Sequence, residues 1–306
     1  MVNFLIGRLV QGVIVVGLVA VVVFAVSRAT GDPLALLLPP DATDEERASV
    51  ARALGLDEPY HMQFIHFVVN ASRGDLGKSL VHRRPATELY VERLPATLQL
   101  AGLSLFFALM ISVPLGVYAP TRRGTLIDRL CGLLAAFGIA APHFWLGLIL
   151  IEIFSVQLGI LPVAGRQGPL SYVMPVFTLA TGLTAGFMRL LRSSMLEVLG
   201  SDFVKLARTN GASERRVIWI HCLRNAITPL LSLAGIYFGV LVGGAVVTEA
   251  VFAWPGIGRL VFTAIANRDY PVIQTVVMMT ALFIVVINLI VDILYALIDP
   301  RVRYGA

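Results

Sequence analysis

The sequence predicts an all-α membrane protein with six transmembrane helices, and two observations lead to this fold class. Of the 306 residues, 57% are hydrophobic and only 14% are charged, and the mean hydropathy is +0.82. A soluble core of this size does not need so many apolar residues. In addition, the charges leave six long uncharged intervals, each near the roughly 20 residues that a helix needs to cross a bilayer. These intervals are 9–27, 94–121, 130–151, 167–188, 225–248 and 270–291.

The first interval predicts a transmembrane helix over residues 1–28 that is retained. Its apolar run, 9–27, is longer than the apolar core of a typical signal peptide, and no Ala-x-Ala cleavage pattern follows it. We therefore expect a first span here and not a cleaved leader.

The distribution of Lys and Arg predicts the orientation. One set of alternate short loops and ends carries 13 basic residues, whereas the short loops of the other set carry only Arg166, Arg259 and Arg268. Because basic residues accumulate on the cytoplasmic side, both termini are expected to be cytoplasmic and residues 29–93 to face outward. The same rule accounts for the formal net charge of +5 without nucleic acid, which is not an expected partner.

Residues 29–93 predict a small external helical subdomain between the first two spans. Thr43 and Glu46 have the spacing of a capping box, and Gly55 is a plausible stop for the helix that they begin. A second short helix is expected directly after Pro59. Two short amphipathic helices make a subdomain too small for catalysis.

Three patterns that suggest a bound metal, a disulfide or a nucleotide are incomplete. His61 and His66 are five residues apart, which is poor spacing for one helix face, and Cys131 and Cys222 form no Cys-x-x-Cys motif. The segment 74–80, GDLGKSL, contains Gly-Lys-Ser but lacks the earlier glycine of a phosphate-binding loop. We expect neither a metal nor a cofactor in this chain, so ATP-driven transport requires ATP and Mg bound by other subunits.

Residues 94–306 predict a core of five transmembrane helices with a large cytoplasmic loop, 197–225. Its sequence predicts a short helix, a left-handed turn at Gly211 and a second helix that begins after Ser213. Basic and apolar side chains flank that turn, namely Lys205, Arg208, Arg215, Arg216, Phe203, Leu206, Val217 and Ile218. The alternative is a solvated basic loop that only fixes topology.

Seven short segments, in order along the chain, resemble the inner-membrane permease subunits of binding-protein-dependent ABC importers, specifically the dipeptide/oligopeptide/nickel group. They are GDLGKSL (74–80), ERLPATLQL (92–100), PHFWLG (142–147), LGILPVAG (158–165), HCLRNAITP (221–229), VFAWPGIGRL (251–260) and RDYPVIQ (268–274). The general signature of such importers is Glu-Ala-Ala, three residues and then Gly. Here Lys205, Leu206 and Ala207 fill the first three places before Gly211, and two of the three depart from the signature.

The resemblance implies a multi-pass permease of the bacterial inner membrane that is not itself an enzyme. Its implied partners are a second homologous permease, two cytoplasmic ATPase subunits, an external solute-binding protein and membrane lipid. Short peptides are the implied solutes, with glutathione-like compounds, metal chelates and some sugars as further possibilities. The residues implied to contact the ATPase are Lys205, Leu206, Ala207, Arg208, Gly211, Arg215 and Arg216.

Two other classes of protein are alternatives to the importer. An ion-coupled secondary transporter needs ionisable groups within the membrane, and Glu152, Glu249 and Asp292 are candidates. An intramembrane hydrolase needs a nucleophile and a base, and His143 is the only plausible base within the spans.

Polar residues in the last span predict a further interface. Asn288, Asp292, Tyr295 and Asp299 recur at spacings of four, three and four, which places them on one helix face. We expect this face, and Glu249, to contact the paired permease or to line the translocation pathway.

Residues 43–72 predict a docking surface for the binding protein. They lie on the same predicted outer side as the segment 251–260, in which Trp254 and Pro255 can shape a rigid turn. Trp254 and Pro255 are therefore candidate docking residues, and a lid that only stabilises the fold is the alternative.

Overall fold

The computed structural model describes residues 2–30, 42–53, 56–122 and 124–298, and these ranges are helical apart from connecting turns. The helices, in chain order, are α1 (Val2–Thr30), α2 (Asp44–Ala53), α3 (Tyr60–Ser72), α4 (Ala86–Thr121), α5 (Leu126–Ala140), α6 (His143–Leu150), α7 (Val173–Leu199), α8 (Asp202–Thr209), α9 (Glu214–Arg216), α10 (Leu223–Ala226), α11 (Thr228–Gly244), α12 (Val246–Val251), α13 (Ile257–Ala266) and α14 (Tyr270–Ile298). π-Helical turns continue α6 (Ile151–Gln157) and α9 (Val217–Cys222), and a 3₁₀ turn (Pro169–Tyr172) precedes α7.

Four stretches are long and apolar enough to cross a membrane by themselves: Ile6–Ala29, Ala86–Thr121, Pro169–Leu199 and Tyr270–Ile293. Two bent pairs pass the same test only when their helices are taken together. They are Asp128–Ala140 with His143–Gln157, bent by 101°, and Glu214–Ala226 with Thr228–Gly244, bent by 50°. The described part of the chain therefore holds four spans, and it reaches six when each bent pair counts as one.

The interval 130–151 differs from the single straight span that its composition suggests. The helix ends at Ala140 and a new one begins at His143, with Pro142 in extended conformation between them. Proline removes a backbone donor and disfavours a helical residue before it, so a break at this position is expected. Pro114 has no such effect, since α4 runs through it.

The helix α7 is longer than the interval 167–188 suggests. It continues to Leu199 and so includes Arg189 and Arg192, which lie beyond the predicted interval. Arg192 forms an ion pair with Asp128 of α5 at 2.9 Å, and this contact satisfies its charge within the helical bundle.

The chain divides into two compact units, and each is described separately. The first contains Met1–Pro95 and Gly256–Ala306. In it, α1 packs along α14, where Gly12 leaves room for Val285. A buried cluster joins the start of α4 to α13 and α14, and its members are Ala86, Leu89, Tyr90, Ile257, Leu260, Ala264, Val272 and Val276.

The two short helices predicted between the first spans are confirmed. The Thr43 backbone N–H donates to Glu46 at 2.9 Å and the Glu46 N–H donates to the Thr43 hydroxyl at 3.3 Å, which is a complete capping box. The second helix begins directly after Pro59, and its Phe64 ring meets Phe24 of α1 edge to face at 5.4 Å. The predicted stop, Gly55, lies outside the described residues.

Residues 74–85, here called the Gly77 loop, are held by Asp269. Its carboxylate accepts hydrogen bonds from the Ser79 hydroxyl and from the backbone N–H groups of Leu80 (3.1 Å) and Val81 (3.3 Å). Asp269 is only 1% exposed, so these bonds satisfy a carboxylate that water does not reach. The segments GDLGKSL and RDYPVIQ, which look like separate motifs in the sequence, are therefore joined by hydrogen bonds in the structure.

The second unit contains Ala96–Pro255. Its centre is the contact of α5 with α7, where the backbones approach closely because Gly138 has no side chain. A Cβ atom on Gly138 would lie 2.8 Å from that of Ala185. Small residues allow such close helix packing in membranes, where burial from water supplies no driving force between helices.

Candidate coupling segment and central cavity

Residues 202–226, here called the coupling segment, form the predicted helix, glycine turn and helix. Gly211 has φ +82°, the left-handed conformation expected of it. Its N–H donates to the Arg208 carbonyl at 3.0 Å and the Ala212 N–H donates to the Ala207 carbonyl at 3.1 Å. These two bonds are a Schellman motif, which ends α8 and satisfies its last carbonyl groups.

An ion pair braces the turn from outside. The Arg208 guanidinium donates two hydrogen bonds to Glu214, at 2.8 and 3.3 Å, so the side chains join the end of α8 to the start of α9. These bonds raise the pKa of Arg208 and keep it charged. Ser213 occupies the predicted N-cap position, but its hydroxyl makes no capping bond to the described backbone.

The coupling segment has a buried inner face and an exposed apolar outer face. Val204, Val217 and Cys222 are fully buried and attach the segment to its own unit. Leu206 is 61% exposed and Phe203 is 45% exposed, although both are apolar. A loop that served only to hold positive charge would not need apolar side chains on its exposed side, so this face has the character of a contact surface.

The predicted cationic residues differ in their surroundings. Lys205 is paired with Asp202 at 2.9 Å and Arg208 with Glu214, whereas Arg215 and Arg216 lie exposed at the start of α9. Ala207 is half-buried. The structure thus brings the seven predicted residues into one short segment around Gly211.

A second candidate site in the same unit is a cavity of about 900 Å³, here called the central cavity. It lies among α5, α6, α7 and α11, and His143, Arg189, Arg192 and Tyr237 supply its main polar groups. The imidazole of His143 packs directly on Gly182, where a Cβ atom would lie only 2.5 Å from its Cε1 atom. In the sequence, His143 indicates only a possible hydrolase base, and no pattern around it predicts a cavity.

A helical pattern in α7 marks the wall of the cavity. Gly182, Gly186, Arg189 and Ser193 are spaced by four, three and four residues and all line it. This spacing places glycines and polar residues on one helix face in an otherwise apolar span. The pattern is visible in the sequence, but it extends beyond the predicted span, because the uncharged interval 167–188 ends before Arg189.

The predicted polar face of the last span is only partly described. Asn288 is exposed on α14, while Asp292 forms an ion pair with Arg8 of α1 at 2.9 Å. Asp292 therefore has a partner within its own chain. The Tyr295 side chain and all of Asp299 lie outside the described residues.

Glu249 and Trp254 require correction, because both side chains are completely buried. The Thr97 hydroxyl donates to Glu249 at 2.6 Å, and the Trp254 indole N–H donates to the Ala96 carbonyl at 3.0 Å. Trp254 cannot contact a docked protein, and in this chain Glu249 reaches neither a subunit surface nor the central cavity. Pro255 is half-buried and follows Trp254 in the turn.

Comparison with known protein families identifies the class. Residues 112–304 match the sequence model of the family described as "Binding-protein-dependent transport system inner membrane component", and residues 1–101 match the model for the N-terminal region of that membrane component. The chain belongs to this family, and it is a permease subunit of a binding-protein-dependent ABC importer.

Curated relatives align with this chain over almost its whole length. The glutathione transport system permease protein GsiC of Salmonella typhimurium (strain LT2) is 41% identical over 305 residues, which cover 99% of this chain and 100% of that protein. The protein of the same description from Escherichia coli (strain K12) is 40% identical over the same shares. The resemblance to the peptide group that the motifs indicated is confirmed.

Solved structures share the fold at low sequence identity. A chain of the inward-facing MetNI methionine ABC transporter gives a TM-score of 0.59 at 22% identity and covers 69% of this chain and 96% of its own. A chain of an amino acid ABC transporter with histidines gives 0.51 at 20% identity, with coverage of 70% and 94%. The family assignment gives no support to the ion-coupled secondary transporter that the sequence had left as the alternative.

Proposed function

We propose that this permease carries short peptides or glutathione-like solutes and that ATPase subunits drive it through the coupling segment. The solute class is supported by the relatives, which are described as glutathione transport permeases and align over their full length. ATP and Mg are bound by the ATPase subunits, and this chain contributes half of the pathway beside a second permease.

One observation carries the coupling role: the segment is firmly attached on one face and apolar on the other. The buried side chains of Val204, Val217 and Cys222 prevent the segment from moving independently of its unit. The exposed side chains of Leu206 and Phe203 then provide the apolar centre of an interface. Force applied to such a surface reaches the membrane helices instead of being lost in a mobile loop.

The cations around this surface define what the partner must offer. Arg215 and Arg216 are exposed in the same segment as the apolar face, and they fit a cleft with an acidic rim. The proposed orientation, with both termini and the coupling segment in the cytoplasm of a bacterium, is supported by the basic residues at the ends and in the short loops of that side.

On the opposite side of the membrane, α3 is the proposed docking surface for the solute-binding protein. Its Tyr60 and Ile65 side chains are 72% and 49% exposed although Phe64 is packed on α1. In the last span, the exposed Asn288 is the residue we assign to contact with the second permease.

Substitution of Leu206 tests the coupling surface. Leu206→Asp introduces a charge at the apolar centre, while the exposure of this side chain leaves the internal packing unchanged. Since central interface residues contribute about 2 kcal/mol or more, we expect the ATPase subunits to bind roughly thirtyfold more weakly. The measurements are co-purification of the ATPase subunits and ATP-dependent uptake, with Leu206→Met as the control that keeps both.

The Arg208 ion pair needs its own test, because a single substitution both breaks the brace and reverses a surface charge. Arg208→Glu and Glu214→Arg should each reduce uptake. The double variant re-forms the pair with its charges exchanged. Recovery of uptake assigns Arg208 to bracing the turn, and continued loss assigns its charge to contact with the ATPase.

The Leu206 experiment decides the coupling role itself. Full uptake and normal ATPase binding in Leu206→Asp would refute it.

A further inference from the structure

The charge balance of the central cavity is unusual for a site between membrane helices. Arg192 is neutralised by Asp128, but Arg189 has no carboxylate within ion-pair distance among the described residues. None of the described residues that line the cavity is acidic. A cation within a membrane span is costly unless it faces water or a partner, so Arg189 marks a polar chamber that attracts anions.

The cavity also has the size and the hydrogen-bonding groups of a small-molecule site. Its volume of about 900 Å³ lies in the range of roughly 300–1,000 Å³ that is usual for ligand pockets. The imidazole of His143 lies against Gly182, and the ring of Tyr237 meets that of Phe187 edge to face with centroids 5.8 Å apart. The guanidinium of Arg189 is suited to two hydrogen bonds with a carboxylate.

We propose that the central cavity binds a free carboxylate of the transported solute, with Arg189 as the cation and His143 and Tyr237 as further hydrogen-bonding groups. This inference rests on the proposed import of peptides or glutathione-like solutes, all of which carry at least one such carboxylate. It makes the permease itself a second point of selection after the binding protein.

Gly186 provides a direct probe of the chamber. It lines the cavity one helical turn before Arg189, and no atom lies within 4 Å of where its Cβ would be. Gly132 of α5 has equally open surroundings but does not line the cavity, so it is the matched control. Both native cysteines are buried and can be replaced by alanine to remove background reactivity.

The first experiment measures the reaction of the thiol introduced by Gly186→Cys in the full transporter, without ATP. At each position we compare the reaction rate of the anionic reagent sulfonatoethyl methanethiosulfonate with that of the cationic aminoethyl reagent. The ratio of the anionic to the cationic rate should be higher at Gly186→Cys than at Gly132→Cys. Adding Arg189→Gln should lower that ratio about fivefold, because it removes the positive charge that concentrates anions. Alanyl-alanine should slow the reaction, and its C-terminal amide should not.

The second experiment measures ATP-dependent uptake in the chain with its native cysteines. The rates for alanyl-alanine and for its amide are compared, each with the binding protein saturated, so that a general loss of folding cancels from the ratio. Arg189→Gln should reduce the ratio of acid to amide about tenfold. Arg189→Lys should retain most of the preference, and Arg129→Gln, an exposed arginine outside the cavity, should leave it unchanged.

Two results overturn the inference while the proposed function stands. The first is an equal ratio of anionic to cationic reaction rates at Gly186→Cys and Gly132→Cys. The second is a ratio of acid to amide uptake that Arg189→Gln leaves unchanged while the wild-type complex imports the dipeptide. Absence of ATP-dependent dipeptide and glutathione uptake by the wild-type complex would instead refute the proposed solute class. The thiol measurement does not depend on transport, so the two failures are distinguishable.

Discussion

The Gly77 loop and the coupling segment share one local feature but satisfy their hydrogen-bond donors in different ways. Each contains a glycine in left-handed conformation, with φ of +90° at Gly77 and +82° at Gly211, and each has basic neighbours. In the Gly77 loop the Ser79 hydroxyl and the backbone N–H groups of Leu80 and Val81 bind the buried Asp269. In the coupling segment they are satisfied locally, and Leu206 is left exposed.

This difference teaches how a structural loop can be told from a contact surface. A loop whose hydroxyl and backbone donors bind a distant buried acceptor is held in place by its own chain. A segment whose donors are satisfied within its own turn, and whose apolar side chains face outward, is complete only with a partner. Three predictions test the contrast.

The largest effect is expected for Asp269→Ala. The substitution leaves the Ser79 hydroxyl and two backbone N–H groups without their buried acceptor, and we expect a loss of about 3 kcal/mol of stability. The measurement is thermal unfolding of the purified transporter. Asp75→Ala is the control, since Asp75 is exposed and accepts only the local Gly77 N–H. Equal stability of the two variants would show that Asp269 does not hold the loop.

Valine at Gly77 and at Gly211 should separate an effect on stability from an effect on coupling. A left-handed residue with a side chain costs about 1–2 kcal/mol. Gly77→Val should lower the unfolding temperature, since Pro271 also lies 3.4 Å from the added Cβ. Gly211→Val has open space around it, so its turn changes locally and the expected loss is in ATP-dependent uptake.

Gly200→Val is the control for the second substitution, because Gly200 precedes the coupling segment but has a negative φ of −80°. It should keep uptake. If Gly211→Val also keeps full uptake with normal ATP hydrolysis, the shape of the turn does not matter for coupling.

The smallest effect concerns the inner face of the coupling segment. Cys222 is fully buried, and we expect a thiol reagent to modify it slowly whether or not the ATPase subunits are bound. A thiol introduced by Leu206→Cys, on the outer face, should react rapidly in the isolated permease and slowly in the assembled transporter. Rapid reaction of Cys222 in the isolated permease would mean that the segment is mobile and that the two loops differ less than their geometry indicates.

Local features of this fold could be predicted from the sequence, because their causes lie within a few residues. The capping box of Thr43 and Glu46 and the left-handed Gly211 depend only on neighbouring backbone groups. The four helices that span alone follow from apolar length in the same way.

The features that could not be predicted depend on residues far apart in the chain. The partners Ser79 and Asp269 are separated by 190 positions, and neither residue alone indicates the other. Trp254 could be placed in a turn but not assigned its burial, which depends on the Ala96 carbonyl. The central cavity was missed for a different reason, since counting a charge as the end of a span removed Arg189 from the helix on which it lies.

The close contact between Gly138 and Ala185 gives α7 the properties of a lever. About 14 residues separate this contact from the last residue of α7, a distance of about 21 Å along the helix. A tilt of about 5° around the contact would therefore move the start of the coupling segment by about 2 Å. Gly186 and Arg189 lie within about one turn of this contact, so the same tilt would move them much less. A displacement of about 2 Å at the start of the coupling segment would therefore become a much smaller displacement at the cavity wall.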